Sequence, residues 1–379
     1  SNVDAAVAAF RSVLDVNDYN EDAVKALEAL FNEHNRWEDL IKVMDGKSGA
    51  GMGDEIAIQL QIGDILENRI GDAERAIRSY EGVLELDDTQ RQALTRLLDL
   101  YAAQNDFEKL VNVYERMLDC AEYDHERLEY CQKLAMLQQQ VTGNLESATD
   151  YYHRMLSIDP GHMGALSSLE ELYEELGHWD DLIDVYRIRL QQVTDKASSE
   201  SDTETDTEDV ADTEVAPSVQ DWVEIQSKVA NVYRNQLNDT DSTIDAFQVL
   251  LQREPAHWDS LNALEELYRE AEQPEAIQDI LERKAKVAPS VEARVSLMIE
   301  RAQIVFEQLH DHNGAIDILN RVLAEESGNE SGLALLEQIY TTREEWENVV
   351  DVLHKRDLHV NTERQKAGIQ RDIALIYRD

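Results

Sequence analysis

Apolar residues recur along most of the 379-residue chain at spacings of three and four. That is the pattern of helices that bury one stripe and leave the rest to water. One segment reads Ala76, Ile77, Tyr80, Val83 and Leu84, and the next reads Ala93, Leu94, Leu97 and Tyr101. The pair returns as Ala148, Tyr152, Met155 and Leu156 before Ala165, Leu166, Leu169 and Tyr173. It returns again as Phe247, Leu250 and Leu251 before Leu261, Leu264 and Tyr268. The period is helical throughout, and the five prolines respect it. Pro160 and Pro255 follow acids at helix ends, Pro217 closes a polar stretch, Pro274 opens a helix and Pro289 precedes one, all places where a missing N–H costs nothing.

The stripes are copies of one another. Trp37-Glu38-Asp39-Leu40-Ile41 recurs as Phe107-Glu108-Lys109-Leu110-Val111, Trp179-Asp180-Asp181-Leu182-Ile183, Pro274-Glu275-Ala276-Ile277 and Trp346-Glu347-Asn348-Val349-Val350, at intervals of 70, 72, 95 and 72 residues. Phe31, Tyr101, Tyr173, Tyr268 and Tyr340 keep the same four intervals. Two columns in one register identify an internal repeat. The long interval exceeds its neighbours by 23 and contains the Ser/Thr/acid stretch, which is therefore an insertion. Having no apolar residue to fold around between Ser198 and Asp209, that stretch is expected to be disordered. The expected organisation is a repeat region over 1–195, the acidic insertion at 196–218, and repeats continuing the same solenoid over 219–379. Each unit of about 70 residues divides into two helical hairpins. That gives about twenty helices in nine hairpins, with an unpaired helix at each end (Ala5 to Val16 and Glu363 to Arg378). The open ends read as a piece of a longer solenoid.

These residues resemble the tetratricopeptide repeats, helix–turn–helix units of about 34 residues with a W-x2-L-G-x2-Y, A-x3-F, P pattern. The marks are Gly63 after Ile62, the pairs Ala76/Tyr80 and Ala148/Tyr152, the tyrosines Tyr101, Tyr173, Tyr268 and Tyr340, and Pro160 and Pro255. Departures are Leu110, Leu182 and Ile277, where the family carries a small residue in the second helix, and hairpins that alternate in length. The resemblance implies an all-α fold, a right-handed α-solenoid of about nine such hairpins with a half-repeat at each end. It also implies a concave face lined by first helices.

Composition narrows what that face meets. Seventy-nine acids against 35 bases leave a formal charge of −44, and removing Ser198 to Pro217 still leaves −36, so the acidity belongs to the whole surface. Such a surface disfavours nucleic acid, which needs clustered positive charge, and anionic membranes. No apolar run reaches the ~18 residues of a membrane span. Basic segments of protein partners are the complement the charge favours. Lys is used 11 times against 24 Arg. A lysine-poor acidic surface fits a high-salt setting, where ions screen self-repulsion, and equally an acidic surface with no such meaning.

No catalytic constellation emerges. Gly46-Lys47-Ser48 lacks the phosphate-loop spacing, with Ile41 where a glycine is needed, so the run Gly46 to Gly53 reads as a flexible joint. His310-Asp311-His312 has no third metal ligand nearby and reads as a turn. Cys120 and Cys131 fall on apolar helical positions as small core residues, and Trp37, Trp179 and Trp346 read as wedges between hairpins. No metal or cofactor is expected. Partner contacts are expected at polar positions between the core columns of first helices: Asp99, Glu171, Asn231, Arg234, Asn262, Glu266 and Arg269. The Asn231 to Arg269 stretch pairs amides with arginines, suited to a peptide backbone or carboxylate. Ser227 and Ala263 stand where the family's clamp for chaperone C-termini wants Lys and Asn. The expected function is a non-catalytic scaffold that binds proteins or peptides through the concave face. The alternative is a structural spacer or regulatory arm with no ligand of its own.

Overall fold

The computed structural model describes residues 2–16, 20–201, 217–360 and 362–378. Most of the acidic insertion, 202–216, lies outside the described residues, and so does the expectation of disorder there. The chain forms two compact units, residues 1–178 and 179–379. The first unit opens with α1 (Asn2–Leu14) and continues in four hairpins. These are α2 (Glu21–Glu33) with α3 (Trp37–Gly49), α4 (Glu55–Ile65) with α5 (Ala73–Leu86), α6 (Arg91–Gln104) with α7 (Phe107–Asp119), and α8 (Asp124–Leu137) with α9 (Leu145–Ile158). It ends on α10 (Met163–Leu176). The second unit starts with α11 (Trp179–Ser201), which extends into the first residues of the insertion. Its hairpins are α12 (Pro217–Val232) with α13 (Thr240–Arg253), α14 (Trp258–Glu270) with α15 (Pro274–Lys286), α16 (Val291–Glu307) with α17 (His312–Glu325), and α18 (Glu330–Thr342) with α19 (Trp346–His359). It closes with α20 (Glu363–Arg378). Among the described residues there are twenty α-helices and no strands.

Two kinds of turn alternate, and each explains a column. Two residues before the Trp/Phe/Pro column the backbone is left-handed at Asn35, Asn105, Gly177, Glu272 and Glu344, with φ between 51° and 70°. The residue after each donates its N–H to the carbonyl of the aromatic column, Arg36 to Phe31 at 2.8 Å and Gln273 to Tyr268 at 2.9 Å, closing the helix end. In the alternate turns α4, α8 and α12 loosen into π-helical turns, Leu66–Ile70, Gln138–Thr142 and Tyr233–Leu237. Left-handed Gly71, Gly143, Asn238 and His310 follow at intervals of 72, 95 and 72, and next to them Asp72, Asn144, Asp239 and Asp311 cap the second helices. A side-chain oxygen accepting an N–H of the first turn satisfies a donor the helix leaves orphaned. The segment His310-Asp311-His312 is thus such a turn: His310 makes the left-handed bend, Asp311 caps α17, and His312 packs its ring 5.3 Å from that of Phe306.

Burial follows the stripes. In the first unit one cluster runs from Val7 through Leu27, Phe31, Ile62, Tyr80, Leu94 and Leu97 to Met117. In the second, one cluster joins Ala302 to Val352, and another joins Val349 to Ile373. One buried column of the first helices is small: Gly63, Ala135, Ala230 and Ala302. A Cβ on Gly63 would stand 2.5 Å from the Tyr80 ring, and Tyr80 is fixed there by donating its hydroxyl to Glu67 at 3.0 Å. Three expectations need amending. Gly46 and Gly49 lie inside α3 rather than in a joint, since Lys47 is tied to Glu28 at 3.0 Å and only Gly51 and Gly53 take left-handed backbone. Trp346 is half exposed, at 49%, whereas Trp37 packs on the core beneath the Arg69 guanidinium. Cys131 is buried as expected, but Cys120 is a partly exposed C-cap of α7.

Candidate partner-binding groove

The expected contact residues fall into two sets. In the first unit Asp99 is exposed on α6 and Glu171 on α10. In the second unit Asn231 is exposed on α12, Arg234 lies in the π-helical turn after it, and Asn262, Glu266 and Arg269 lie on α14. Within this set the structure joins Arg234 to Glu266 of α14, and both arginines are already engaged. Arg234 Nη2 lies 2.7 Å from Glu266 Oε2. Arg269 Nη2 reaches Glu265 at 2.8 Å and Glu300 of α16 at 2.6 Å. Glu265 also receives Lys284 Nζ at 2.6 Å, and Lys284 lies 5.0 Å from the centre of the Trp258 ring. Burial pushes the Glu265 carboxyl up, but hydrogen bonds from Lys284 and Arg269 outweigh it and hold the group below its ordinary range. A ligand carboxylate would have to displace carboxylates already bound to these guanidinium groups.

In the first unit the spaces between consecutive first helices form grooves. The groove between α6 and α8 has a volume of about 380 Å³, within the ~300–1,000 Å³ of ligand sites. Its floor is Leu98, Ala102, Leu110, Tyr114, Met136, Leu137 and Val141, and its rim Thr95, Asp99, Lys133 and Gln140. Met136 is 40% and Val141 42% exposed, high for large apolar side chains. Tyr114 tilts against Tyr130 with ring centres 6.3 Å apart. Burial and the nearby carboxylates of Glu129 and Asp99 push its hydroxyl up.

Four helices earlier, the groove between α2 and α4 occupies the same repeat positions with other chemistry. Shifting its residues by 70 or 72 places Glu28 on Leu98, Asn32 on Ala102, Gln61 on Lys133, Asp64 on Met136 and Arg69 on Val141. The α2/α4 groove, about 860 Å³, is therefore polar and crossed by the Lys47–Glu28 pair. Sequence reasoning reached Asp99 on the rim but not the cleft as a whole. The signal was there as apolar residues in columns that are polar elsewhere: Glu28, Leu98, Glu170, Glu265 is one, and Asp64, Met136, Asn231, Gln303 another. Among the described residues no group of three or more His, Cys, Asp or Glu converges as a metal site, and no helix is long and apolar enough to cross a membrane.

The tetratricopeptide-repeat family model matches residues 93–129 and 165–200. No curated protein matches the chain. Among solved structures, the Naa15/Naa10 complex bound to HypK-THB is 12% identical over 99% of this chain, which spans 58% of that one, with a TM-score of 0.32. A tetratricopeptide repeat protein from Parabacteroides merdae is 14% identical, over 76% of this chain and 99% of that one, at 0.27. The P58(IPK) TPR domain is 14% identical, over 94% and 98%, at 0.24. At such scores none of the three bears on what this chain binds. The family model is met once over α6 and α7 and again at 165–200, and the same columns of small and aromatic residues run through the hairpins outside those spans: the chain carries tetratricopeptide repeats at these two places, in an all-helical repeat arrangement.

Proposed function

We propose that the chain is a non-catalytic scaffold that takes partner proteins or peptides on the face formed by its first helices, the concave face in this family. The repeats make it a protein-interaction scaffold in kind. The observation that carries the finer reading is the α6/α8 groove, an apolar floor left open to solvent between charged rims. Such a groove gains affinity from a few desolvated anchors, while a chain of net charge −44 steers basic segments towards it. Asp99 and Glu171 in the first unit, and Asn231, Arg234, Asn262, Glu266 and Arg269 in the second, are the polar contacts proposed for that face.

The test is capture from a cell lysate on the immobilised chain at low and raised salt, beside a variant carrying Asp99→Lys and Glu171→Lys. Saturable binding that salt weakens and the variant loses by about tenfold or more is expected. No saturable binding to either protein overturns the reading. A second reading, a structural arm without a ligand, is favoured by the second unit, where Arg234 and Arg269 are spent on neighbouring helices. Binding that survives every first-unit substitution but is lost when the second unit is altered would leave neither the groove nor the arm standing.

A further inference from the structure

We infer that the α6/α8 groove is a socket for one large unbranched or aromatic apolar side chain of a partner segment, with a Lys or Arg next to it in that segment. This rests on the scaffold reading and gives its partner a chemistry. The two grooves carry different chemistry on the same stretch of the repeat. They are built from the same repeat positions, so the shared backbone accounts for the existence of both. It does not account for the replacement of Glu28, Asn32, Asp64 and Arg69 in one by Leu98, Ala102, Met136 and Val141 in the other. The four apolar replacements converge on one cleft. Two of them, Met136 and Val141, leave about two-fifths of their surface in water, which is unfavourable in the free chain and is relieved by an apolar occupant. Ala102 in place of Asn32 keeps the cleft short-walled beside Leu98, and Met136 is a flexible, polarisable wall that fits aromatic as well as aliphatic anchors.

The flanking base follows from the rim. Asp99 on α6 and Glu129 on α8 are both exposed, and the charge of each raises the Tyr114 hydroxyl; of the two, Asp99 lines the groove itself. Neither forms an ion pair with a described residue, in contrast to Glu28, Glu265 and Glu266, whose repeat positions or neighbours hold Lys47, Lys284 and Arg234. Two unpaired carboxylates about a half-buried phenol present an acceptor-rich edge to a guanidinium or ammonium group. Lys133 lies on the α8 rim as well, also without an ion-pair partner, so the socket discriminates by position: a base against Asp99 on the α6 rim and no second base beside Lys133 on α8. An acidic anchor segment is excluded by the same carboxylates and by the acidic surface as a whole.

The probe is a phage-displayed library of random 12-residue peptides, panned against the full chain. Enriched peptides are synthesised and titrated by fluorescence anisotropy. The expected consensus is a Met, Phe or Trp flanked by Lys or Arg. Met136→Asp is expected to weaken the best peptide at least tenfold, while Glu85→Lys, on the exposed surface of α5, changes it less than threefold. Asp99→Lys should erase the preference for the flanking base without erasing that for the apolar anchor. Because Met136 and Val141 are partly exposed, both Met136→Asp and Val141→Asp should fold, which circular dichroism and a melting curve check; if one does not, the other carries the test. Peptides that bind the chain but are indifferent to both substitutions, or that share no apolar anchor, overturn the socket and leave the scaffold reading intact. A library that yields no saturable binder overturns the two together.

Discussion

The repeat's tolerance is set at single positions where the backbone leaves no choice. Gly63 meets the Tyr80 ring so closely that a Cβ would stand 2.5 Å from it, and the hydroxyl bond to Glu67 keeps the ring from turning away. Gly63→Val is expected to destabilise the first unit by about 3 kcal/mol through overpacking, read as a lower denaturation midpoint. The opposite sign is expected at Glu272 and Glu344, which hold left-handed backbone at φ 51° and 57° where equivalent turns use Asn35, Asn105 and Gly177. An L side chain there costs about 1 kcal/mol. Glu272→Gly and Glu344→Gly should each recover part of that, and a melting series checks both. The cysteines differ as well. Burial pushes both thiols up, but Cys131 is sealed while Cys120 is partly exposed, so a thiol reagent should modify Cys120 slowly and Cys131 only on unfolding.

Helices were the most legible elements, because their stripes and prolines need no tertiary knowledge. Their ends were less so. The capping column Asp72, Asn144, Asp239 and Asp311 repeats as faithfully as the aromatic one. It went unread because a polar residue in a loop is common, whereas a cap is recognised only by the N–H it faces. Asp239 accepts from the Ser242 N–H and hydroxyl at 3.1 and 2.6 Å, so Asp239→Ala should cost about 1 kcal/mol. The ion network between α14 and α15 was invisible for another reason: Glu265 and Lys284 are 19 residues apart and meet only when the hairpin closes, with 14% and 10% of their side chains exposed. Glu265→Gln leaves the Lys284 ammonium without its carboxylate and should destabilise the second unit by about 3 kcal/mol at pH 7. Since the folded Glu265 titrates below its unfolded value, its stabilisation is present above about pH 4.3 and lost as pH falls through the depressed value. The deficit of the variant should therefore shrink towards zero in acid, as urea unfolding at several pH values would reveal.

At the scale of the molecule, a net charge of −44 opposes compaction of a chain whose ion pairs are mostly exposed. Screening relieves it, so the melting temperature is expected to rise from low salt to molar salt. A flat or falling series would remove any salt-adapted meaning from the acidity. The groove chemistry belongs to this scale too: it was illegible as a site because no single helix carries it, with Leu98 and Ala102 on α6, Tyr114 on α7 and Met136 and Val141 contributed from α8 onwards. Column by column the exceptions stood in plain sight; only the fold says that they share a wall.

The alternation of turns has a consequence for how such a chain grows. A left-handed closing turn inside one hairpin and a loosened π-helical turn inside the next, after α4, α8 and α12, mean that neighbouring hairpins are not interchangeable. The module that can be duplicated without a seam is the four-helix block of 72 residues, not the single hairpin. A gene that lengthens this protein by tandem duplication keeps every turn in register only by copying in that larger currency, and an engineer splicing residues 72–143 in twice would be following the same grammar.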